Sequence, residues 1–456
     1  MAGLTVEKVI EATEGRLISG DGGAFTGVSI DTRTIKEGDL FFAIRGERFD
    51  GHDFLKEALS RGMGAVVDTQ PLSISESKAV VYVGDTLKAL QDLAHFIRKE
   101  RDIPVIAITG SNGKTTTKEM AYAILSKRYK ALKNEGNLNN HIGLPLTLTR
   151  LTKDDEAAVL ELGMNALGEI RRLCEISLPT HGVVTNIGTA HIGMLGSREA
   201  IRDAKLEILP GLRVAVLNAD DDLLMSGIND FKGEVITFSI KKAAHVTAKD
   251  LSLTEKGSAF TLCIKDKGSI DITLKTHGLF NLYNALAAAA VSSSLGISLS
   301  DIKEALEAYR PFPMRFEVSR IGDIILINDA YNANPASINE SLKEMAAMGA
   351  GSRLVAVLGD MFELGVFAED AHRELGNTLS DMNIDVFVAV GELMNIAADE
   401  YVKARGEKPA PVYRFSSSGE AGENIMDILK PGDTVLFKGS RSMKLENAIR
   451  GVRHAV

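Results

Sequence analysis

The chain has 456 residues, which is too long for a single hydrophobic core and predicts about three domains. Apolar residues make up 45% and charged residues 25%, proportions typical of globular proteins. The net charge of -9 argues against a general nucleic-acid binder and against a partner of anionic membranes.

Cysteine usage and hydropathy favour a cytoplasmic protein. The two cysteines, Cys174 and Cys263, match no metal-binding pattern and indicate a reducing compartment. The N-terminus lacks a charged start followed by an apolar run, and no apolar run approaches the roughly 18 residues of a membrane span. We therefore expect a cytoplasmic location without membrane insertion.

The first predicted domain, residues 1–102, has the pattern of a small α/β unit. Its strands are predicted at 28–30, 40–44, 65–67 and 80–83, and its helices at 52–61 and 87–98. Polar loops between these elements carry Asp31, Arg33 and His52. These side chains are candidates to hold a phosphate or a sugar edge, although isolated polar residues in loops are more often simply solvated.

The predicted central domain, residues 103–315, begins with a strand, a glycine-rich turn and a helix. Glycines let backbone N–H groups close around phosphate oxygens, and the helix start adds a positive dipole end. Lys114 would then reach the terminal phosphates, and the Thr115 hydroxyl would hold Mg²⁺. The predicted phosphate loop comprises Gly110, Ser111, Asn112, Gly113, Lys114, Thr115 and Thr116. Ile108 replaces the first glycine of the strict Walker pattern, so an ordinary glycine-rich turn is the alternative.

Two later strands of this domain end in side chains that suit a site. Alternating strands and helices predict a parallel sheet, where ligands gather at the carboxyl ends of the strands. The strand 157–160 leads to Glu161, which is either a Mg²⁺ ligand or the partner of a nearby lysine. His191 follows the strand 182–186, and a structural histidine is its alternative because imidazole is an unusual ligand for Mg²⁺. The loop 134–143, which contains Asn140, is too rich in asparagine and glycine for regular structure.

The rest of the central domain predicts a different strand pattern and then a hinge. Residues 234–274 alternate between apolar and polar, which indicates an antiparallel hairpin region. The following helix places Asn281 and Asn284 on one face. The proline-containing linker 310–315, which ends at Arg315, is predicted to act as a hinge.

The third predicted domain, residues 316–456, repeats the α/β alternation. Strands are predicted at 324–327, 354–358, 386–390 and 434–437. Polar residues follow the ends of these strands, among them Asp329, Asn332, Asn334 and Arg441. Because no Gly-x-Gly-x-x-Gly is present, a dinucleotide role is disfavoured.

Lys205 lies in a predicted helix that Ser197 can cap. The apolar stripe of Ile201, Ala204 and Ile208 places Lys205 on or beside the buried face. An unpaired ammonium there is costly and would repel a nearby Mg²⁺. The alternative is a lysine whose head group reaches solvent along the helix surface.

Taken together, these motifs resemble the Mur ligase family along all three domains. The residues that carry the resemblance are the phosphate loop, Asn139, Asn140, Ile142, Gly143, Glu161, 185–191, Lys205, Asn281, Asn284, Arg315 and Asp329. The stretches 38–41, 49–54 and 329–335 are most similar to the members that join D-alanyl-D-alanine to UDP-N-acetylmuramoyl-tripeptide. Phe280 departs from the family pattern, in which histidine commonly precedes the first of the two asparagines.

The resemblance implies a three-domain α/β fold. A central P-loop ATPase domain with a parallel sheet would be flanked by a small N-terminal α/β domain and a Rossmann-like C-terminal α/β domain. It also implies a monomeric, ADP-forming ligase that uses ATP and Mg²⁺ and passes through an acyl phosphate. The N-terminal domain would bind the UDP end of the substrate, and the C-terminal domain would bind the dipeptide and close over ATP.

The resemblance also implies roles for individual residues. The catalytic residues would be Lys114, Glu161, His191 and Lys205, and the metal site would comprise Thr115, Glu161, His191 and Lys205, with Lys205 carbamylated by CO₂. Besides the phosphate loop, the nucleotide would contact Asn281, Asn284, Arg315 and Asp329. The substrates would contact Asp31, Arg33, His52, Asn140, Asn332, Asn334 and Arg441.

Other protein classes share parts of this pattern. A GTPase switch needs an Asn-Lys-x-Asp motif, and the chain has no Asn-Lys pair. A folylpolyglutamate synthetase shares the ligase architecture and is the nearest rival, as is another Mur ligase. A non-catalytic ATP-binding protein would not need Glu161, His191 and Lys205 together.

Overall fold

A computed structural model describes residues 3–21, 23–70, 77–254, 257–406 and 410–454. Its main sheets lie within residues 16–82, 105–274 and 317–438, and helices cover their faces. The predicted three-domain α/β fold is confirmed, whereas the boundaries after residues 102 and 315 remain predictions. Within the described ranges, no helix is long and apolar enough to cross a membrane.

The described elements of the N-terminal domain are β1 (Leu4–Thr5), α1 (Val6–Thr13), β2 (Arg16–Ser19), β3 (Ala24–Phe25), β4 (Gly27–Ser29), β5 (Asp39–Phe42), α2 (Leu55–Arg61), β6 (Gly64–Val67), β7 (Ala79–Tyr82) and α3 (Thr86–Lys99). The sheet order is β2-β7-β6-β5-β4, with β2 antiparallel and the others parallel. The predicted helix 52–61 begins as a 3₁₀ turn over Gly51–Phe54, where Asp50 caps the chain through the His52 N–H. The short strands β1 to β3 and helix α1 were not predicted.

The described elements of the central domain are β8 (Val105–Thr109), α4 (Lys114–Leu125), β9 (Ala131–Lys133), α5 (Gly143–Leu148), β10 (Ala157–Glu161), α6 (Glu169–Ser177), β11 (His181–Val184), α7 (Ile192–Leu195), α8 (Arg198–Leu206), β12 (Val214–Asn218), α9 (Asp222–Met225), β13 (Glu234–Ser239), β14 (Val246–Thr254), β15 (Gly257–Ile264), β16 (Gly268–Leu274), α10 (Leu279–Ser294) and α11 (Leu299–Ala308). The sheet order is β16-β15-β14-β13-β12-β11-β8-β10-β9. Strand β8 lies between β10 and β11 and is parallel to both, which brings the phosphate loop, Glu161 and the residues after β11 to one edge.

The antiparallel prediction for 234–274 was wrong at its start. Strand β13 is parallel to β12, and the antiparallel part begins only at β14 and continues the edge of the same sheet. Alternation of polar and apolar residues reports a half-buried strand but not its direction. The direction follows from the connection, because α9 carries the chain back between β12 and β13.

The described elements of the C-terminal domain are β17 (Glu317–Ile321), β18 (Ile324–Asn328), α12 (Pro335–Met348), β19 (Leu354–Gly359), α13 (Ala368–Asp381), β20 (Val386–Val390), α14 (Glu392–Arg405), β21 (Val412–Phe415), α15 (Ser418–Ile428), β22 (Thr434–Lys438) and α16 (Glu446–His454). The sheet order is β17-β18-β22-β19-β20-β21, and only β17 is antiparallel to its neighbour among these strands. Strands β17 and β21 were not predicted.

Packing fixes the central sheet between two apolar layers. Helix α10 is rich in alanine between Ala285 and Ala290 and packs on α4, so the two helices lie together behind the phosphate loop. On the other face, α3 of the N-terminal domain packs on α5 and α6, and one buried apolar cluster joins the two domains. The apolar strands buried on both faces are typical of a parallel sheet.

Candidate active site

The phosphate loop is a close-packed turn between β8 and α4. Gly110 and Gly113 have positive φ angles of 146° and 82°. A Cβ atom at Gly110 would lie 1.9 Å from the Thr185 hydroxyl oxygen, and one at Gly113 would lie 2.2 Å from the Asn284 side-chain oxygen. Both positions therefore require glycine, and the loop can present its N–H groups at the start of α4.

Lys114 is the first residue of α4, and its side chain turns back over the loop. Its Nζ donates hydrogen bonds to the carbonyl oxygens of Gly110 at 2.8 Å and Ser111 at 3.3 Å. Burial lowers the pKa of Lys114, while the Glu161 carboxylate opposes that shift and Arg315 adds to it. The ammonium thus lies where the terminal phosphates of a nucleotide on this loop would be.

Thr115 and Glu161 meet at the edge of the sheet. The Thr115 hydroxyl donates to Glu161 Oε2 at 2.8 Å, and both residues are buried. The Asn139 amide donates to the other carboxylate oxygen at 2.8 Å, and the Asn134 side chain binds the Glu161 backbone N–H and C=O at 2.9 and 3.0 Å. Two hydrogen bonds therefore fix this carboxylate, and two more fix the backbone that carries it.

This pair fits a magnesium ion bound together with a nucleotide. Mg²⁺ prefers oxygen ligands and is usually held by one or two carboxylates, waters and substrate phosphates. Thr115 and Glu161 supply a hydroxyl and a carboxylate oxygen beside the phosphate loop. In the described part of the chain no group of three His, Cys, Asp or Glu side chains forms a metal site by itself, so Thr115 and Glu161 would need further ligands, phosphate and water among them.

The two asparagines of α10 face the phosphate loop. Asn284 accepts a hydrogen bond from the Thr117 hydroxyl at 3.2 Å and donates to Asn281 Oδ1 at 3.4 Å. Asn281 in turn donates to the His277 carbonyl oxygen at 2.7 Å. Phe280, at the position of the family histidine, packs edge-on against Phe316 of the C-terminal domain, with ring centroids 5.2 Å apart. The aromatic ring therefore contacts the residue that follows the linker 310–315.

The linker 310–315 places Arg315 beside the phosphate loop. Its guanidinium lies 3.3 Å from the Thr115 hydroxyl and stacks over the Tyr331 ring at 3.9 Å. The residues on either side of Arg315, Met314 and Phe316, have left-handed φ angles of 61° and 50°, a sparsely populated conformation for such side chains. The linker thus holds Arg315 at the site in a conformation with local strain.

Asp329 is held at the end of β18 by a buried lysine. Lys438 Nζ lies 2.5 Å from Asp329 Oδ2 and 3.1 Å from the Asn332 carbonyl oxygen. Asp329 also accepts hydrogen bonds from the Ser341 hydroxyl at 2.7 Å and the Phe316 N–H at 3.1 Å. Burial lowers the pKa of Lys438, and the Asp329 carboxylate opposes that shift.

His191 contacts the C-terminal domain. Its Nδ1 lies 3.0 Å from Glu363 Oε2, and its φ angle of 64° is left-handed. The Gly193 N–H donates to the Glu363 carbonyl oxygen at 3.2 Å. This histidine therefore joins two domains at the rim of the site.

Lys205 is buried on α8, with 1% of its surface exposed. The predicted position on the buried face is confirmed, and the head group does not reach solvent. Among the described residues its Nζ has no hydrogen-bond or ion-pair partner. Burial lowers the pKa of Lys205 well below its usual range, and the nearby Lys114 adds to the shift.

One cavity of about 1140 Å³ gathers most of the predicted residues. Those that line it are Ser111 to Thr116, Asn140, Glu161, His191, Lys205, Asn281, Asn284, Arg315, Asp329, Asn332 and Asn334. Arg441 instead lines a smaller cavity of about 460 Å³, which shares Asn332, Phe362 and Glu363 with the first. Asp31, Arg33 and His52 line neither.

Family models match the chain in three consecutive segments. The Mur ligase family catalytic domain matches residues 24–100, the Mur ligase middle domain 108–292, and the Mur ligase glutamate ligase domain 314–441. Two UDP-N-acetylmuramoyl-tripeptide–D-alanyl-D-alanine ligases align over the full length. The one from Bacillus subtilis is 37% identical over 98% of this chain and 97% of its own, and the one from Escherichia coli is 35% identical over 99% of both. The chain belongs to the Mur ligase family.

Solved structures of Mur ligases have the same fold. MurF from Acinetobacter baumannii superposes with a TM-score of 0.90 at 32% identity and covers 99% of both chains. MurF from Thermotoga maritima, solved in complex with ADP, has a TM-score of 0.82 at 28% identity, covering 94% of this chain and 98% of that one. This Mur ligase is thus an ATP-dependent enzyme that forms a C–N bond.

In this Mur ligase the three predicted N-terminal residues make their contacts within the N-terminal domain. Arg33 and Asp31 form an ion pair with an N–O distance of 2.6 Å, and the Arg33 side chain is 86% exposed. His52 Nδ1 lies 2.6 Å from Asp50, and its Nε2 accepts the Asp68 N–H at 3.2 Å. Arg33 is therefore open to a ligand, whereas His52 already has a partner at each ring nitrogen.

Several residues of the site were given no role from the sequence. Asn134, Asn139, Tyr331, Glu363 and Lys438 all contact a predicted residue. The asparagine-rich loop 134–143 pointed to the first two, and the polar run that starts at the last residue of β22 pointed to Lys438. Glu363 carried no local signal, because its contact with His191 joins residues far apart in the chain.

Proposed function

We propose that this Mur ligase joins D-alanyl-D-alanine to UDP-N-acetylmuramoyl-tripeptide. ATP would be converted to ADP and phosphate, and the product would be the UDP-muramoyl-pentapeptide precursor of peptidoglycan. The observation that carries the proposal is the Thr115–Glu161 pair beside Lys114, in a cavity that the hinge residue Arg315 also enters. The full-length similarity to ligases of that name supports the choice of substrates.

A carboxylate does not condense with an amine unaided, so the first step transfers the γ-phosphoryl group of ATP to the terminal carboxylate of the tripeptide. The loop N–H groups and Lys114 would hold the phosphates, and Arg315 would add a second positive charge. Thr115 and Glu161 would hold Mg²⁺, which when bound neutralises part of the phosphate charge. Removing Lys114 would therefore raise the free-energy barrier to phosphoryl transfer more than it would weaken ATP binding.

In the second step the amine attacks the acyl phosphate. A C–N bond forms, the bond from the acyl carbon to the phosphate oxygen breaks, and phosphate leaves. The dipeptide ammonium first gives one proton to solvent and becomes a free amine. Its nitrogen loses a second proton, which the leaving phosphate takes up, and keeps the third as the amide N–H. The tetrahedral intermediate carries negative charge, which Lys114 and the N-terminus of α4 would stabilise because their positive charge is already in place.

Each domain is assigned one part of the substrates. Residues 1–102 would hold the UDP end through Asp31, Arg33 and His52, residues 103–315 would hold ATP, and residues 316–456 would bind the dipeptide. Asn281, Asn284 and Asp329 would contact the nucleotide, while Asn140, Asn332, Asn334 and Arg441 would contact the peptide groups. We propose that the enzyme works as a monomer in the cytoplasm, where ATP and UDP-linked precursors are available.

We also propose that Lys205 is carbamylated by CO₂ and that its carbamate oxygens, together with His191, complete the metal site. The support is the burial of Lys205 without a partner at the edge of the cavity. An ammonium there would repel Mg²⁺, whereas a carbamate supplies anionic hard oxygens.

An ADP-release assay with UDP-N-acetylmuramoyl-tripeptide tests the proposed function. Both tripeptides, with meso-diaminopimelate or lysine as third residue, are combined with D-alanyl-D-alanine, D-alanine or L-glutamate. We expect D-alanyl-D-alanine to be far the best acceptor, because a site built for its amide and carboxylate leaves these groups unmatched for smaller amines. Faster turnover with L-glutamate and a folate would instead identify a folylpolyglutamate synthetase.

A further inference from the structure

The loop after β19 places Glu363 at the junction of the two cavities. Glu363 lines both the main cavity and the smaller one, and among the described residues it is the only acidic side chain lining the smaller one. It has a left-handed φ angle of 66°, which is uncommon for a glutamate. Its position is thus set by the surrounding structure rather than by local preference.

Contacts with the central domain hold this loop in place. The Glu363 carbonyl oxygen accepts the Gly193 N–H at 3.2 Å. A Cβ atom at Gly193 would lie 2.4 Å from the Gly365 nitrogen, so the two backbones approach too closely for any larger residue. The Phe362 N–H also donates to the Ser440 hydroxyl at 2.8 Å. The backbone around Glu363 is therefore hydrogen-bonded to both the central and the C-terminal domain.

The charges around Glu363 make it a suitable partner for a cation. Its carboxylate lies 3.0 Å from His191 Nδ1, and the side chain is about half exposed at 48%. A glutamate carboxylate is an anion at neutral pH. Among the other carboxylates that line the main cavity, Glu161 and Asp329 are buried against Thr115 and Lys438, whereas Glu363 keeps an exposed face beside His191.

The smaller cavity has opposite charges on its wall. Glu363 supplies a negative charge, and Arg441 and Lys444 supply positive ones. Arg441 is half exposed and pairs with Glu446 through one nitrogen, which leaves other guanidinium N–H groups to donate. A free peptide at neutral pH has an ammonium at one end and a carboxylate at the other. The wall of the smaller cavity carries a charge of the opposite sign for each of these groups.

We propose that Glu363 binds the ammonium group of the incoming dipeptide and directs its nitrogen toward the acyl phosphate beside Lys114. The inference rests on the proposed function and adds a residue that selects a cationic amine acceptor. Lys114 and Arg315 would otherwise repel an ammonium from the reacting end of the main cavity. The dipeptide carboxylate would lie toward Arg441 and Lys444.

Glu363→Gln tests this role because it keeps the size of the side chain and removes its charge. We expect the KM for D-alanyl-D-alanine to rise by about tenfold or more, while the KM values for ATP and UDP-tripeptide stay within about twofold. Hydroxylamine, an amine that is mostly uncharged at pH 7, needs no anionic partner. Hydroxamate formation from the acyl phosphate should therefore match that of the unaltered enzyme.

Two further variants control the comparison. Glu363→Asp keeps the charge on a shorter side chain and should recover part of the affinity for the dipeptide. Glu369→Gln removes an exposed carboxylate that pairs with Arg373 on α13, and it should leave all three KM values unchanged. Thermal melts of all three variants establish that they are folded.

Three outcomes overturn the inference. An unchanged KM for the dipeptide in Glu363→Gln would show that the carboxylate does not bind the acceptor. A parallel loss of hydroxamate formation would show that Glu363 acts through His191 on phosphoryl transfer instead. An unaltered enzyme that forms hydroxamate but ignores the dipeptide would overturn the proposed function, and the role of Glu363 with it.

Discussion

The side-chain amide of Asn334 donates a hydrogen bond to the side-chain oxygen of Asn112 across 2.8 Å. Asn112 belongs to the phosphate loop, and Asn334 caps the first turn of α12 beyond the hinge. The contact between Gly193 and Glu363 is a second link between the same two domains. The structure therefore brings the C-terminal domain down onto the nucleotide site.

We expect the C-terminal domain to rotate about residues 311–315 as ligands bind. Each such hydrogen bond contributes only about 1 kcal/mol, and the links between these two domains are few, so the ligand-free enzyme should also populate open arrangements. Ligands that contact both domains would favour the closed one. Small-angle X-ray scattering should show a smaller radius of gyration with an ATP analogue and UDP-tripeptide than without them. Identical scattering curves would contradict this.

Lys114→Ala should lower kcat by at least about a hundredfold while the protein stays folded. The ammonium contacts two loop carbonyl oxygens in the ligand-free site and would act mainly on charge that develops during phosphoryl transfer. ADP release measures the loss, and circular dichroism measures the fold. Lys127→Ala, on the surface beside α4, is the control and should retain activity. A folded Lys114→Ala enzyme with normal ADP release would remove the loop from the mechanism.

Lys205→Ala should lose most activity and regain part of it when short carboxylic acids are added. Acetate or formate could enter the space left by the side chain and supply the missing anionic oxygens. Lys114→Ala should show no such rescue, because that position requires a positive charge. A high-resolution electron-density map should show the carbamate on Lys205. An unmodified lysine together with no rescue would refute the carbamate.

His181 should make the protein less stable in acid. Burial, with a smaller effect of Arg213, lowers the pKa of His181 from 6.5 to about 4. Between these values the unfolded chain binds more protons than the folded one, so stability falls as the pH drops through this window. The free energy of unfolding from urea titrations should therefore fall less between pH 7 and pH 4 in His181→Gln, by about 3 kcal/mol at most. Equal losses in both proteins would contradict the expected shift.

The amino-acid sequence alone determined those parts of the site that depend on neighbouring residues. A strand, a glycine-rich turn and a helix form through local backbone geometry, so the phosphate loop and the start of α4 at Lys114 were predictable. The end of an apolar strand likewise located Glu161, and the apolar stripe of α8 placed Lys205 on a buried face. Each of these signals extends over a dozen residues or fewer.

Only the tertiary structure decided which of these residues meet. Thr115 contacts Glu161 because β10 lies beside β8, and a pattern within one strand does not report its neighbour. For the same reason alternation did not reveal that β13 is parallel to β12. The contact of His191 with Glu363 requires two domains to pack together, which depends on the sum of many weak contacts along the chain. Such long-range pairings leave no period in the sequence.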